Sequence, residues 1–66
     1  MKTGEMVKDA RNAKGLTQLQ LAEKVGVSQV QISRIEKGLN SPSIKTVKAL
    51  AKALRIPARD ILITLI

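Results

Sequence analysis

Gln29, Val30, Ser33, Arg34 and Lys37 share a stretch whose spacing suits one side of a helix. At ~100° per residue, Val30, Ser33, Arg34 and Lys37 lie opposite Ile32 and Ile35, and Gln29 projects from the N-terminal end. These side chains match the edges of nucleic-acid bases. A glutamine amide bonds an adenine bidentately, a guanidinium does the same to a guanine, and a valine packs on a thymine methyl. An ordinary solvated face has the same composition, so this helix alone does not decide between the two. Gln18 offers related chemistry. In the first turn of a helix, its side chain and the free backbone N–H groups suit a phosphate, with a solvated glutamine as the plain alternative.

Two short helices must hold these groups. The stretch from Leu16 to Gly38 carries two complete helix-start signals. Thr17 is an N-cap, with Gln20 placed to close a capping box and Leu16 and Leu21 placed as a hydrophobic staple. Ser28 repeats the arrangement with Gln31, Val27 and Ile32. The first of these helices must end near Val25, where Gly26 adopts a left-handed cap at least cost. Leu21, Ala22 and Val25 form one apolar stripe, and Ile32 and Ile35 form the other. Ala22 is small, so the second helix can cross it closely. This is the pattern of a helix-turn-helix, whose second helix enters the major groove of DNA.

Composition narrows the function. The 66 residues include no histidine, cysteine or aromatic residue. The usual metal ligands, the commonest general base and thiol nucleophiles are therefore missing, and no enzyme activity, metal or cofactor is expected. The net charge of +7 favours a polyanionic partner. No apolar run approaches the ~20 residues of a membrane span and no signal peptide is visible, so a soluble, cytoplasmic chain is expected. At this length residues 1–66 should form a single domain stabilised by packed helices alone.

The remaining segments read as three further helices. The first runs from Met1 to Lys14, with Thr3 as N-cap and Val7 and Ala10 facing inward beside Met6. Arg11 also points partly inward and needs a partner. Glu36, at the edge of the inward face of the 28–37 helix, is the candidate. Lys37 to Pro42 is a loop. Ser43 caps a helix from Ile44 to Leu54 with an apolar stripe of Ile44, Val47, Leu50, Ala51 and Leu54. A last helix follows Pro57, from Ala58 to the C-terminus. Its Ile61, Leu62 and Leu65 pack inward, which leaves Ile63 and Ile66 uncovered. A second copy of the chain would cover them, so a symmetric homodimer built on the C-terminal segment is expected. The same β-branched run also suits an exchanged strand.

The chain resembles the Cro/C1 (XRE-type) helix-turn-helix family of phage and bacterial repressors. The resemblance rests on Arg11, Lys14-Gly15-Leu16-Thr17-Gln18, Leu21-Ala22 and Val25-Gly26-Val27-Ser28-Gln29, continuing through Ile32-Ser33-Arg34-Ile35-Glu36, Gly38, Pro42-Ser43, Ala51 and Leu54. It implies an all-α, compact five-helix fold and a repressor that reads operator DNA, usually as a homodimer. By the same resemblance, Gln18 contacts phosphate and braces the next helix, and Gln29 reads bases. Ser28, Val30, Gln31, Ser33 and Arg34 contribute base or phosphate contacts, and the loop at Asn40 touches backbone. Arg11 and Glu36 match a pair that ties the first helix to the third. Three positions depart from the pattern: Arg55 stands where glycine is frequent, Ala10 where leucine is usual, and Leu19 where a polar residue is usual. Two other roles suit this fold: the antitoxin half of a toxin–antitoxin pair, with a toxin or other protein as partner, and a coactivator-like bridge that reads no bases.

Overall fold

Three hydroxyl side chains set the starts of three helices. The Thr17, Ser28 and Ser43 side-chain oxygens accept from the backbone N–H groups of Gln20, Gln31 and Thr46, each satisfying one donor that a helix N-terminus leaves unpaired. In the computed structural model, which describes residues 2–65, the elements in chain order are α1 (Thr3–Ala13), α2 (Gln18–Val25), α3 (Gln29–Glu36), α4 (Ile44–Leu54) and α5 (Ala58–Thr64). The described residues are all helix, turn or loop, as the all-α five-helix expectation requires. Gly26 takes the left-handed conformation at the end of α2, with φ 85°.

The core is contributed by every helix. Val7, Leu21, Ile32, Ile35, Val47, Leu50, Leu54 and Ile61 are fully buried, and Ala22 of α2 is buried among them. At about 25 cal/mol per Å² of apolar surface, these side chains supply most of the force holding α3 against the other helices. Leu62 and Leu65 pack against this cluster.

Four expectations need correction. Thr3 does not cap α1: Lys2 occupies the cap position, and among the described residues no side chain caps this end. The Thr64 hydroxyl donates to the Ile61 carbonyl, so the contact between the two threonine hydroxyls at 2.5 Å has Thr3 as donor. That bond ties α1 to α5. Gln31 does not close a capping box. Ser28 accepts from its backbone N–H at 3.1 Å, but among the described residues no reciprocal side-chain bond is made. Ile44 is 59% exposed rather than part of the core. It lies a quarter turn from the centre of the α4 stripe, in the first turn, and Thr46 is buried on the other edge. The last helix stops at Thr64 with Leu65 at its C-cap position, and Ile66 lies outside the described residues.

Arg55, by contrast, sits where a glycine would be comfortable. It ends α4 in the left-handed region, with φ 57° and ψ 44°, a conformation costing an L-residue about 1–2 kcal/mol.

Candidate nucleic-acid interface

The turn at Gly26 fixes α3 relative to α2. The N–H groups of Gly26 and Val27 both bond the Ala22 carbonyl, closing α2 and redirecting the chain within two residues. Ile32 and Ile35 then enter the core, so the opposite side of α3 must face solvent. Gln29, Val30, Arg34 and Lys37 are all exposed there, and Val30 is 62% exposed. A valine so open on an otherwise polar face is a ready contact for a methyl group. Ser33 and Gln31 are half-buried at the flanks of this row, and Ser28 is exposed at its head.

A polar network locks the far end of α3. Arg11 Nε donates to Glu36 Oε2 at 2.7 Å and Nη2 to Oε1 at 3.1 Å. Its remaining nitrogen, Nη1, donates to the Leu16 carbonyl at 2.8 Å, at the entrance to α2. Gln18 Nε2 donates to Glu36 Oε1 at 3.1 Å. One carboxylate therefore joins α1, α2 and α3, and the expected Arg11–Glu36 pair is present. Its hydrogen bond to Glu36 raises the Arg11 pKa, burial opposes that, and the attraction of the carboxylate adds to it.

Gln18 is half-buried by this bond. An amide nitrogen carries two hydrogens, so one remains for an outside acceptor. Thr17 caps Gln20, and Leu21 bonds the Thr17 carbonyl. The N–H groups of Gln18 and Leu19 thus point out of the α2 N-terminus toward any anion placed there. Asn40 is exposed in the loop after α3, just beyond Gly38, whose φ of 77° turns the chain. Gln18, the α3 row and Asn40 all stand outside the core, on the segments joined through the Glu36 network.

Gly4 was missed by the sequence reading. It is buried in the first turn of α1. A β-carbon there would lie 2.4 Å from the Glu36 carbonyl oxygen and 2.6 Å from that of Ile35. The bare backbone lets α1 press directly on the end of α3. The available signal was the glycine itself, which costs about 1 kcal/mol against alanine inside a helix and so hints at a packing reason.

Known proteins share this sequence pattern and this fold. The sequence profile of the helix-turn-helix family matches residues 7–61. The chain is 41% identical over 56 residues to the immunity repressor protein of Bacillus phage phi105, covering 85% of this chain and 39% of that one. It is 47% identical over 55 residues to the transcriptional repressor RghR of Bacillus subtilis, covering 82% of this chain and 41% of that one. The chain thus spans about two fifths of the length of these curated relatives. Among solved structures, the P22 c2 repressor protein in complex with a synthetic operator superposes with a TM-score of 0.92 at 31% identity, over 97% of each chain. By sequence and by fold, the chain belongs to the Cro/C1-type helix-turn-helix family.

Proposed function

We propose that the chain is a DNA-binding transcription regulator, a repressor, that reads operator DNA with α3 in the major groove. The observation that carries this is the exposed row of Gln29, Val30, Arg34 and Lys37 on a helix held at both ends. Its head is fixed by the Ser28 cap and its tail by the Arg11–Glu36–Gln18 network. In this reading Gln29, Val30, Ser33 and Arg34 meet base edges. Gln18, Ser28, Gln31, Lys37 and Asn40 meet phosphates. The P22 c2 repressor, solved on its operator, and the repressor names of the phi105 and Bacillus subtilis relatives support the role.

The regulator acts as a homodimer. An eight-residue recognition helix reaches only a few base pairs, whereas a two-fold dimer places two of them about 34–36 Å apart, one DNA turn. Ile63, 64% exposed on α5, is the apolar group that a second copy would cover. Sedimentation of the chain and of Ile63→Lys tests this: a wild type that stays monomeric even on palindromic DNA contradicts the dimer.

Binding itself is tested by titrating duplex DNA at increasing salt. If a dimer neutralises ~6–10 phosphates, affinity falls ~10³–10⁵-fold between 50 and 200 mM salt. A flat response contradicts the proposal.

A further inference from the structure

Away from α3, two shallow recesses lie side by side and share Lys24, Ala53 and Arg55. One, of about 370 Å³, opens between the end of α2 and α4. The other, of about 390 Å³, continues past the end of α1. Part of their lining is apolar. Ala49 and Ala53 stand one turn apart on α4, and Leu16 closes the far end. Small side chains at successive turns leave the hollow. Their rim is cationic: Lys14, Lys24, Lys52 and Arg55 surround it, and among the described residues no acidic side chain lines either recess.

Helix ends explain why the cations gather here. Lys14 follows α1, Lys24 and Lys52 sit in the last turns of α2 and α4, and Arg55 is the cap of α4. Three helix C-termini contribute about −1.5 charges in all, against four full positive charges. The recess stays strongly positive. Among the described residues none of these four cations pairs with a carboxylate; the ion pair formed is that of Arg11 and Glu36. Arg55 also holds its cation at the rim from a left-handed backbone conformation that glycine would adopt without strain.

We infer that this recess docks an acidic, leucine-bearing segment of a protein partner. The apolar part of the lining takes one aliphatic side chain, and the rim pairs with carboxylates on either side of it. Nucleic acid fits less well, because a phosphate backbone offers nothing to alanine and leucine side chains. The site lies on the C-terminal ends of α2 and α4, whereas the groups assigned to DNA lie on α3, the α2 N-terminus and the Asn40 loop. The inference therefore does not depend on α3 reading DNA.

The test is a titration of the isotope-labelled chain with a short capped peptide of repeated Glu-Leu-Glu, at about 0.15 M salt, where charges are screened beyond ~8 Å. Amide shifts should cluster at Lys24, Ala49, Ala53 and Arg55. They should vanish for peptides with Gln in place of Glu or Ser in place of Leu. The variant Lys14→Gln, Lys24→Gln, Lys52→Gln should stay folded, melting somewhat lower because three helix C-termini lose a cation, and should bind the peptide about tenfold more weakly. Its DNA affinity should stay within about threefold at this salt. Shifts centred on α3 would overturn the inference, since the peptide would then only imitate DNA. So would a random duplex that perturbs the recess amides more strongly than the peptide, equal peptide binding by the variant, or no binding by the wild type.

Discussion

The guanidinium of Arg11 meets the carboxylate of Glu36 edge to edge, through two hydrogen bonds of 2.7 and 3.1 Å. Their side chains are only 11% and 4% exposed. Glu36 ends the proposed recognition helix, and Arg11 also holds the entrance of α2 through Leu16. A single pair thus ties α1 to the entrance of α2 and the end of α3, the two helices proposed to meet DNA. Removing either partner leaves a buried charge and should cost about 3–5 kcal/mol. Small domains have little stability to spare, so Arg11→Lys, which keeps the charge but loses the planar fork, is the variant to melt first. A double-mutant cycle with Glu36→Gln should give a clear coupling energy; none would refute the pairing.

The pair should not make stability depend on pH through Arg11 in the neutral range. Its folded pKa is raised, chiefly by the hydrogen bond to Glu36. A raised pKa gives stability that is complete below the unfolded value and lost only as pH climbs through the folded one. Both lie at or above the ordinary arginine range. Urea midpoints of wild type and Arg11→Lys should therefore keep a constant gap from weakly acidic to weakly alkaline pH; a gap closing there would contradict the assignment.

Gly4→Ala should destabilise the chain although alanine is the better helix former. The new β-carbon would lie 2.4 Å from the Glu36 carbonyl oxygen, and overpacking of this kind costs about 1–3 kcal/mol. Helix propensity returns at most about 1 kcal/mol. A lowered Tm is expected, with DNA binding weakened if α1 pushes the end of α3 aside. A Tm at or above the wild type would show that α1 does not bear on α3 there.

Arg55→Gly should do the reverse. It relieves a left-handed arginine, a gain of about 1–2 kcal/mol. The greater freedom of glycine in the unfolded chain takes back about 0.4–1 kcal/mol. A small rise in Tm is expected, and a fall would mean that the side chain packs more usefully than its exposure suggests.

Gln18 and Gln29 should separate affinity from specificity. Gln29→Ala should lose ~1–3 kcal/mol on the preferred site and relax one base position. Gln18→Ala should weaken all sequences, and it should also lose part of the brace on Glu36. Binding isotherms on specific and random duplexes separate the two, and equal losses on both duplexes for both variants would contradict the division.

Local rules made much of this legible. Thr17 and Ser28 announce two helix starts within eleven residues of each other, and Gly26 leaves one way to turn between them. Arg11 and Glu36 could be paired because each lies at the edge of an inward face, where a charge must find a partner. The misses at Thr3, Gly4 and Ile44 involve contacts between distant segments, whereas the Gln31 box fails locally, its side chain making no bond back to the Ser28 backbone among the described residues. Thr3 satisfies every local rule for a cap, yet its hydroxyl is taken by Thr64 across the fold. Gly4 matters only because α3 returns against it. Helical spacing places Ile44 on the α4 stripe but does not say how far the neighbouring helices reach to cover it. Within the site, periodicity identifies the outward row of α3. The base each residue would read depends on the DNA and is written nowhere in the chain.

In the proposed function α3 reads DNA sequence. Selecting bound duplexes from a random library, in parallel for the wild type and Gln29→Ala, tests it most directly. A near-palindromic motif with half-sites about one DNA turn apart is expected, with loss of preference at one position in each half-site for the variant. An unenriched library, or the same motif unchanged in Gln29→Ala and in Arg34→Ala, would contradict it.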